Sequence, residues 1–208
     1  FLNVAAFNLF LLMFQSYGIA QGASAAIVLN WDILSFVPML GLNIAITSLV
    51  GRYIGAGDMH KVRDVINSGF LLGLGYSSVL ATIFLVFREP MVALFVAPGA
   101  DYQEIMELST FMMIGLASYA MADATVLVTG GVLRGAGDTR WLMNASVSLH
   151  WIMLIAQFVV IKVLALGPRV SWTVFVVMLI VLALVYVARL AGAKWRHPDV
   201  LQRALAEQ

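Results

Sequence analysis

The sequence predicts an all-α integral membrane protein, a bundle of six transmembrane helices, and three observations support this prediction. Hydrophobic residues make up 62% of the 208 residues and charged residues only 11%, and the mean hydropathy is +0.96, which is not the composition of a soluble domain. Long stretches almost free of charge recur, most of them close to the roughly 20 residues that a helix needs to cross a bilayer. Polar, charged connections separate these stretches.

Each apolar stretch is interpreted as one helix. We predict helices over 1–17, 23–52, 65–87, 108–133, 141–161 and 170–188, with polar loops at 50–64, 88–106 and 133–140. The first helix is short and starts at Phe1, so we expect its beginning, and the part of the protein before it, to be missing. Residues 1–191 are predicted to form one six-helix lobe, and 192–208 a polar tail.

The composition also argues against several function classes. There is no cysteine, which removes disulfides and cysteine-based zinc sites, and the net charge of +1 argues against a nucleic-acid partner. No HExxH or GxSxG motif occurs, and His60, His150 and His197 are scattered. We therefore expect no enzyme activity, no cofactor and no dedicated metal centre.

The distribution of lysine and arginine predicts the orientation of the helices. One side of the predicted bundle holds most of these residues, namely Arg52, Lys61, Arg63, Arg134, Arg140, Arg189, Lys194, Arg196 and Arg203. The other side holds only Arg88, Lys162 and Arg169. By the positive-inside rule, loops 53–64 and 134–140 and the tail 192–208 are expected in the cytoplasm of a cell whose membrane is crossed six times, most simply a bacterial inner membrane.

Asp123 is the only charged residue between Glu107 and Arg134, near the middle of the fourth predicted helix. An aspartate there costs about 2.5 to 3.5 kcal/mol on insertion scales, and such residues usually mark ion or substrate pathways. Tyr119 lies four residues earlier and therefore on the same helix face. We predict that both side chains belong to a cation site, although Asp123 could instead be a buried polar group bonded to a neighbouring helix.

The second and fifth helices carry the other polar groups expected at the cavity. Asp32 is the only charge between Phe1 and Arg52, and Pro38 after it is expected to kink the helix. Helical spacing places Ser35 and Asn43 near the Asp32 face. On the fifth helix, Ser146, His150 and Gln157 share one face, and we predict that His150 and Gln157, with Ser35 and Asn43, line the substrate cavity.

A short motif occurs twice, 80 residues apart. GAGD occupies 55–58 and 135–138, after an arginine each time, and comprises Gly55, Gly57, Asp58, Gly135, Gly137 and Asp138, with Arg52, Arg134 and Arg140 close by. The strand and the lysine of a phosphate-binding P-loop are absent. We predict sharp turns in which the arginines and aspartates pair or cap helix ends.

The stretches SLVGRYIGAGDMHKVR and GGVLRGAGDTR resemble the loop signatures of the multidrug and toxic compound extrusion transporters. Such transporters are twelve-helix antiporters with two six-helix lobes, which export organic cations in exchange for Na⁺ or H⁺. The resemblance covers essentially the whole chain and implies the C-terminal lobe, with the N-terminal lobe and the lipid bilayer as its partners and a cationic, amphipathic small molecule as its substrate.

The resemblance also implies site residues. In the sodium-coupled bacterial branch, the cation site of this lobe is a glutamate on the first helix and a tyrosine and an aspartate on the fourth. Tyr119 and Asp123 match the last two, and Na⁺ could bind at Asp123, but Asn3 stands at the glutamate position. One charge is therefore missing, and both H⁺ and Na⁺ coupling stay open. We infer from its placement that Asp32 supplies a second carboxylate.

Two alternatives accompany this hypothesis. A flippase for lipid-linked precursors could share the fold, but its anionic cargo would require lysine or arginine inside the spans, and none is found away from their ends. A membrane scaffold without transport activity would keep Asp32 and Asp123 for structural reasons alone.

Overall fold

The computed structural model describes residues 2–96, 99, 101–192 and 195, and within these ranges it contains helices and no strand. Its helices are α1 (Leu2–Gln15), α2 (Ile19–Gly55), α3 (Met59–Val86), the short α4 (Arg88–Ala93), α5 (Tyr102–Gly135), α6 (Thr139–Phe158) and α7 (Pro168–Ala191). A π-helical turn, Val159–Val163, extends α6. Five of the described helices are long and apolar enough to cross a membrane, and α1 is a shorter apolar helix. The predicted all-α membrane bundle is confirmed.

The helices extend further into the connections than the sequence predicted. Most of the predicted loop 50–64 is helical, because α2 continues to Gly55 and α3 starts at Met59. Likewise, α5 starts at Tyr102, and α4 occupies part of the predicted loop 88–106. Charged residues ended the predicted spans, yet a helix can continue past the hydrocarbon layer until a glycine or a cap stops it. Helix α2 also runs on through Pro38.

Both GAGD motifs form the same helix-terminating turn. Gly57 and Gly137 have φ angles of 72° and 82°, in the left-handed region that favours glycine. The backbone N–H of Asp58 donates to the Tyr53 carbonyl at 2.9 Å, and that of Asp138 donates to the Leu133 carbonyl at 2.9 Å. These bonds define a Schellman motif, which satisfies the last carbonyls of α2 and α5. The predicted sharp turns are confirmed.

The bundle is organised around α5, which packs against α2, α3, α4, α6 and α7. Helices α2 and α5 both end at a GAGD turn, and the side of the bundle that carries the two turns is called the GAGD face. The two helices approach closely there, since a Cβ on Gly135 would lie 2.5 Å from the carbonyl oxygen of Thr47. A Cβ on Gly131 would lie 2.9 Å from the carbonyl oxygen of Asn43.

Polar contacts fix α1 to the far end of α6, at the side opposite the GAGD face. The Tyr17 hydroxyl donates to the Leu166 carbonyl at 2.5 Å, and the Lys162 ammonium donates to the Ser16 hydroxyl at 3.0 Å. The predicted tail 192–208, with Lys194, Arg196 and Arg203, lies outside the described residues except for Gly192 and Trp195. The division into a lobe over 1–191 and a tail stays a prediction.

Candidate functional site

A cavity of about 440 Å³, called the central cavity, lies between the helices of the bundle. Its lining contains polar residues from α1, α2, α5, α6 and α7, namely Asn3, Asp32, Tyr119, Asp123, Ser146, His150 and Tyr186. The sequence had singled out Asn3, Asp32, Tyr119, Asp123 and His150 as site residues. The structure brings all five to one cavity, and the role assigned to each stays a prediction.

The acidic part of the central cavity comes from two helices. Asp32 on α2 and Asp123 on α5 line the same wall, and no lysine, arginine or histidine lies within ion-pairing distance of either, in the part of the chain that the structure describes. Tyr119 is 1% exposed and lies near enough to both carboxylates for electrostatic interaction. Its buried hydroxyl makes no hydrogen bond of normal geometry. The arrangement therefore leaves two carboxylates and one phenol available to a cation.

Helices α1 and α6 supply a neutral polar edge. The Asn3 amide donates to the Ser146 hydroxyl at 2.6 Å, and the Asn3 carbonyl oxygen is buried without a hydrogen-bond partner. One turn further along α6, His150 Nδ1 lies 2.7 Å from the Ser146 carbonyl oxygen. A buried carbonyl oxygen without a partner is costly in apolar surroundings, so Asn3 adds a fourth side chain that could accept a hydrogen bond from a cargo or coordinate an ion.

Aromatic rings form the apolar wall of the cavity. Phe7 and Phe175 line it, with ring centroids 6.1 Å apart, and the Tyr119 ring meets Phe175 edge-on at 5.9 Å. Phe36 lines the cavity from α2. Aromatic faces attract cations and pack against planar apolar groups. The wall therefore suits a molecule that is both cationic and apolar.

Three residues predicted to line the cavity are not among the described residues that do so. Ser35 donates to the Asp32 carbonyl of its own helix at 2.7 Å. Asn43 lies deeper in the bundle, where its amide donates to the Leu127 carbonyl at 2.5 Å. Gln157 is fully buried and bonded to Ser171, whose hydroxyl donates to its side chain at 2.7 Å. Each of the three side chains has a partner inside the helix bundle, and their predicted contact with a substrate stays a prediction.

The charged groups of the second GAGD turn contact other helices. Arg134 donates to the Asn43 side-chain carbonyl on α2 at 2.8 Å, and Arg189 on α7 donates to the Asp138 carboxylate at 2.7 Å. The Arg189 guanidinium also lies over the Trp141 ring, 5.1 Å from its centroid. The predicted pairing of arginine and aspartate at this turn is found, but the arginine comes from α7 rather than from the motif.

The first GAGD turn makes local contacts instead. The Asp58 carboxylate accepts the Lys61 backbone N–H at 3.1 Å and so caps α3. That bond, reinforced by the nearby Lys61 ammonium, holds the pKa of Asp58 below its usual value. Arg52 lies on the last turn of α2, and Arg140 is exposed on the first turn of α6. The predicted helix cap is thus found at Asp58, whereas the side chain of Asp138 makes no cap bond.

Sequence reasoning did not select Ser146 or the aromatic wall as part of the site. Ser146 was recognised only as sharing a face with His150, and its contact with Asn3 joins residues 143 positions apart. Phenylalanine is unremarkable in a membrane span, since lipid-facing and cavity-facing positions are both apolar. No pattern in the sequence separates Phe7, Phe36 and Phe175 from the phenylalanines that face lipid or the core.

The fold and the cavity together define a class, the helical multi-pass membrane proteins with an acidic site inside the bundle. The MatE family model matches residues 1–159. The chain therefore belongs to the MatE family, which confirms the resemblance carried by the two GAGD loops.

Curated relatives match over nearly the whole chain. The probable multidrug resistance protein NorM of Thermotoga maritima is 32% identical over 205 residues, which is 95% of this chain and 43% of that protein. The multidrug resistance protein MdtK of Photorhabdus laumondii subsp. laumondii is 26% identical over 204 residues, or 96% of this chain and 44% of the relative. The chain thus spans less than half the length of these relatives.

Solved structures share the fold at low sequence identity. An outward-facing multidrug resistance MATE family transporter of the MOP superfamily superposes with a TM-score of 0.81 at 19% identity, covering 98% of this chain and 48% of that one. A MOP superfamily transporter from Pyrococcus furiosus, described as having a binding pocket of reverse polarity, gives 0.79 at 19% identity, covering 96% and 42%. The arrangement of the helices is therefore a fold that these two structures also contain.

Proposed function

We propose that the chain is the C-terminal lobe of a secondary active antiporter, which exports cationic, amphipathic small molecules in exchange for H⁺ or Na⁺. The observation that carries the proposal is the central cavity, in which Asp32 and Asp123 have no basic partner among the described residues. Relatives named as multidrug resistance proteins support the same class of cargo.

The two carboxylates explain how exchange could arise. An unpaired carboxylate inside a membrane protein is costly, and a proton, a sodium ion or a cationic molecule lowers that cost by neutralising it. Because all three would occupy the same groups, the binding of one opposes the binding of another. Competition for Asp32 and Asp123 is thus sufficient to exchange one positive charge for another.

The cavity also suits the proposed cargo in size and surface. Pockets for drug-sized molecules measure about 300–1,000 Å³, and the central cavity, at about 440 Å³, falls within this range. Its aromatic wall of Phe7, Phe36 and Phe175 provides apolar contact area and ring faces for a cation. The acidic groups then fix the sign of the charge, whereas the rings impose little restriction on shape.

The donor set fits either coupling ion. Hard cations such as Na⁺ prefer oxygen ligands, and the cavity offers the Asp32 and Asp123 carboxylates, the Tyr119 hydroxyl and the Asn3 carbonyl oxygen. The Asn3 carbonyl oxygen is buried without a hydrogen-bond partner, as a group awaiting a ligand would be. Protonation of the carboxylates requires only those two residues. Replacing Asn3 would therefore affect Na⁺ coupling more than H⁺ coupling.

The orientation and the second lobe complete the proposal. The excess of lysine and arginine in the loops at the GAGD face supports a cytoplasmic position for that face, in a bacterial inner membrane. The organisms of the named relatives are bacteria, and these relatives are about twice as long as this chain. Another lobe would close the open side of the central cavity. Alternating access then needs only that occupancy favour one of two packings of the lobes.

The lining of the central cavity argues against an anionic cargo. No lysine or arginine is among the described residues that line it, whereas Asp32 and Asp123 are. A lipid-linked precursor with a phosphate group would be repelled there. A structural scaffold would not need a polar group without a partner, such as the Asn3 carbonyl oxygen, in a residue that lines a cavity.

Efflux by everted membrane vesicles tests the proposal. The natural protein and its Asp123→Asn and Asp32→Asn variants are compared with H⁺ and Na⁺ gradients imposed separately, using a cationic dye as cargo. Removing one carboxylate eliminates a charge that the cargo and the ion must share. We expect Asp123→Asn to reduce efflux at least about tenfold, the effect of losing roughly 1.4 kcal/mol of interaction, with normal protein amounts in the membrane.

Asp58→Asn is the matched control, since it removes the same charge far from the cavity and asparagine still caps a helix. It should transport at the normal rate. Undiminished efflux by Asp123→Asn would refute the proposed role of that carboxylate. Loss of stability without loss of flux in the double variant Asp32→Asn/Asp123→Asn would instead support a scaffold.

A further inference from the structure

A second cleft, separate from the central cavity, opens at the GAGD face between the ends of α2 and α5. Its volume is about 450 Å³. It is lined by Arg52 and Arg134, by the hydroxyl residues Thr47 and Ser48, and by glycines of both helices. None of the residues that line the central cavity lies here. This cleft is called the arginine cleft.

The arginine cleft carries positive charge that the described residues do not neutralise. No acidic residue is among the described residues that line it. The two nearby aspartates have other partners, because Asp58 interacts with Lys61 and Asp138 with Arg189. Arg134 uses one Nη1 donor for Asn43, and no partner of the Arg52 guanidinium is found in the described part of the chain. Most of the ten N–H donors of two guanidinium groups are therefore left for a ligand.

The helix ends account for only part of this charge. An arginine in the last turn of a helix offsets the partial negative charge of its carbonyl end. In this protein, however, both ends are already closed by the Schellman turns, in which the N–H groups of Asp58 and Asp138 bond carbonyls of α2 and α5. Two guanidinium groups at two closed helix ends exceed what the helix dipoles require.

The glycines leave the floor of the cleft free of side chains. A Cβ on Gly55 would meet no atom within 4 Å, and one on Gly51 would meet only the Gly135 carbonyl oxygen, at 3.4 Å. A group of several atoms can thus reach both arginines from outside. Planar guanidinium groups bind phosphate through paired N–H···O bonds, which makes phosphate the anion that best matches two of them.

We propose that the arginine cleft binds a phosphate group, with Arg52 and Arg134 as its charged ligands and the Ser48 hydroxyl as a further donor. The cleft lies at the charged end of two spans, where both a lipid headgroup and free phosphate are within reach. Both sources offer the same chemistry to the arginines. They differ in whether an acyl chain contributes to binding.

The purified natural protein in non-ionic detergent provides the test, with thermal unfolding and calorimetric titration as readouts. Three probes are compared, namely inorganic phosphate, dihexanoyl phosphatidylglycerol and zwitterionic dihexanoyl phosphatidylcholine. We expect phosphatidylglycerol to bind and to raise the unfolding temperature, and phosphatidylcholine to do so much less. Equal effects of inorganic phosphate would identify free phosphate as the ligand, and an effect of the anionic lipid alone would identify a headgroup.

Variants decide whether the arginine cleft is responsible. Arg52 has no partner among the described residues, so Arg52→Gln should not destabilise the fold. It removes one phosphate ligand and should weaken binding about tenfold, whereas Arg52→Lys keeps the charge and should weaken binding less. Arg63→Gln, an exposed arginine on α3 outside the cleft, is the matched control and should leave affinity unchanged. Equal losses in Arg52→Gln and Arg63→Gln, or no binding of either anionic probe, would overturn the proposal.

Discussion

The two GAGD turns have the same backbone and different side-chain contacts. Their left-handed glycines, Gly57 and Gly137, and their Schellman hydrogen bonds correspond one to one at an offset of 80 residues. Asp58 caps the helix that follows it and lies beside Lys61. Asp138 instead pairs with Arg189 on α7, 51 residues away. The first turn is a local connection, whereas the second ties three helices together.

This difference shows what a repeated motif does and does not specify. The glycines and the short spacing determine the turn itself, because they act through the backbone of their own segment. The role of the aspartate depends on which helices surround it. Helix α5 packs against α7, whereas α2 has no comparable contact with α7 among the described residues, so Arg189 lies within reach of the second turn. Paired substitutions can measure that difference.

The largest expected effect comes from the aspartates. Asp138 is 7% exposed, and Asp138→Ala would leave Arg189 without its carboxylate in a mostly buried position. Breaking such a pair costs about 3 kcal/mol. Asp58→Ala loses only an exposed cap and should cost clearly less. Unfolding free energies in mixed detergent micelles would show this order, and equal losses at the two positions would mean that the ion pair with α7 contributes nothing.

An intermediate effect is expected at the glycines that end α2 and α5. Gly135→Ala would place its Cβ 2.5 Å from the Thr47 carbonyl oxygen, so the two helices would have to separate, at a cost of about 2 kcal/mol. Gly55→Ala meets no atom within 4 Å and should be neutral or slightly stabilising. The same unfolding measurement applies. A Gly135→Ala protein as stable as its Gly55→Ala counterpart would contradict the close approach of α2 and α5.

The smallest difference is expected at the left-handed glycines. Gly57→Ala and Gly137→Ala both force alanine to a positive φ, which costs about 1 kcal/mol or slightly more in each turn. Because the backbone is the same, the two losses should be similar, and asparagine at either position should be less costly than alanine. Unfolding temperatures of the four variants would reveal any divergence. A loss confined to Gly137 would show that the turns differ in backbone as well as in contacts.

The sequence was informative where a residue acts through its own helix. Apolar stretches predicted the six helices, and Tyr119 and Asp123, four residues apart on α5, both line the central cavity. Asp32 lines the same cavity, and it had been selected because it is the only charged residue in an apolar helix. In a membrane span a lone charge is expensive enough that its position carries information.

The sequence says less where the depth of a residue in the bundle, or a partner distant in sequence, determines its contacts. Asn43 follows Asp32 by 11 residues, which returns it to nearly the same face but about 16 Å further along the helix axis. Its side chain therefore bonds the Leu127 carbonyl and Arg134. Gln157 shares a face with His150, yet it is bonded to Ser171 on the next helix. Helical periodicity gives direction around an axis, and only the packed bundle gives the neighbours at each level.

The aromatic wall has one further consequence. Trp172 is 1% exposed and held by a hydrogen bond from its indole N–H to the Met112 carbonyl. Its ring lies 5.1 Å from that of Phe175 and 6.5 Å from that of Tyr119, both of which line the central cavity. Any molecule that displaces those two rings changes the surroundings of a rigid indole directly behind them. The protein thus contains a natural fluorophore whose emission can report occupancy without an attached label.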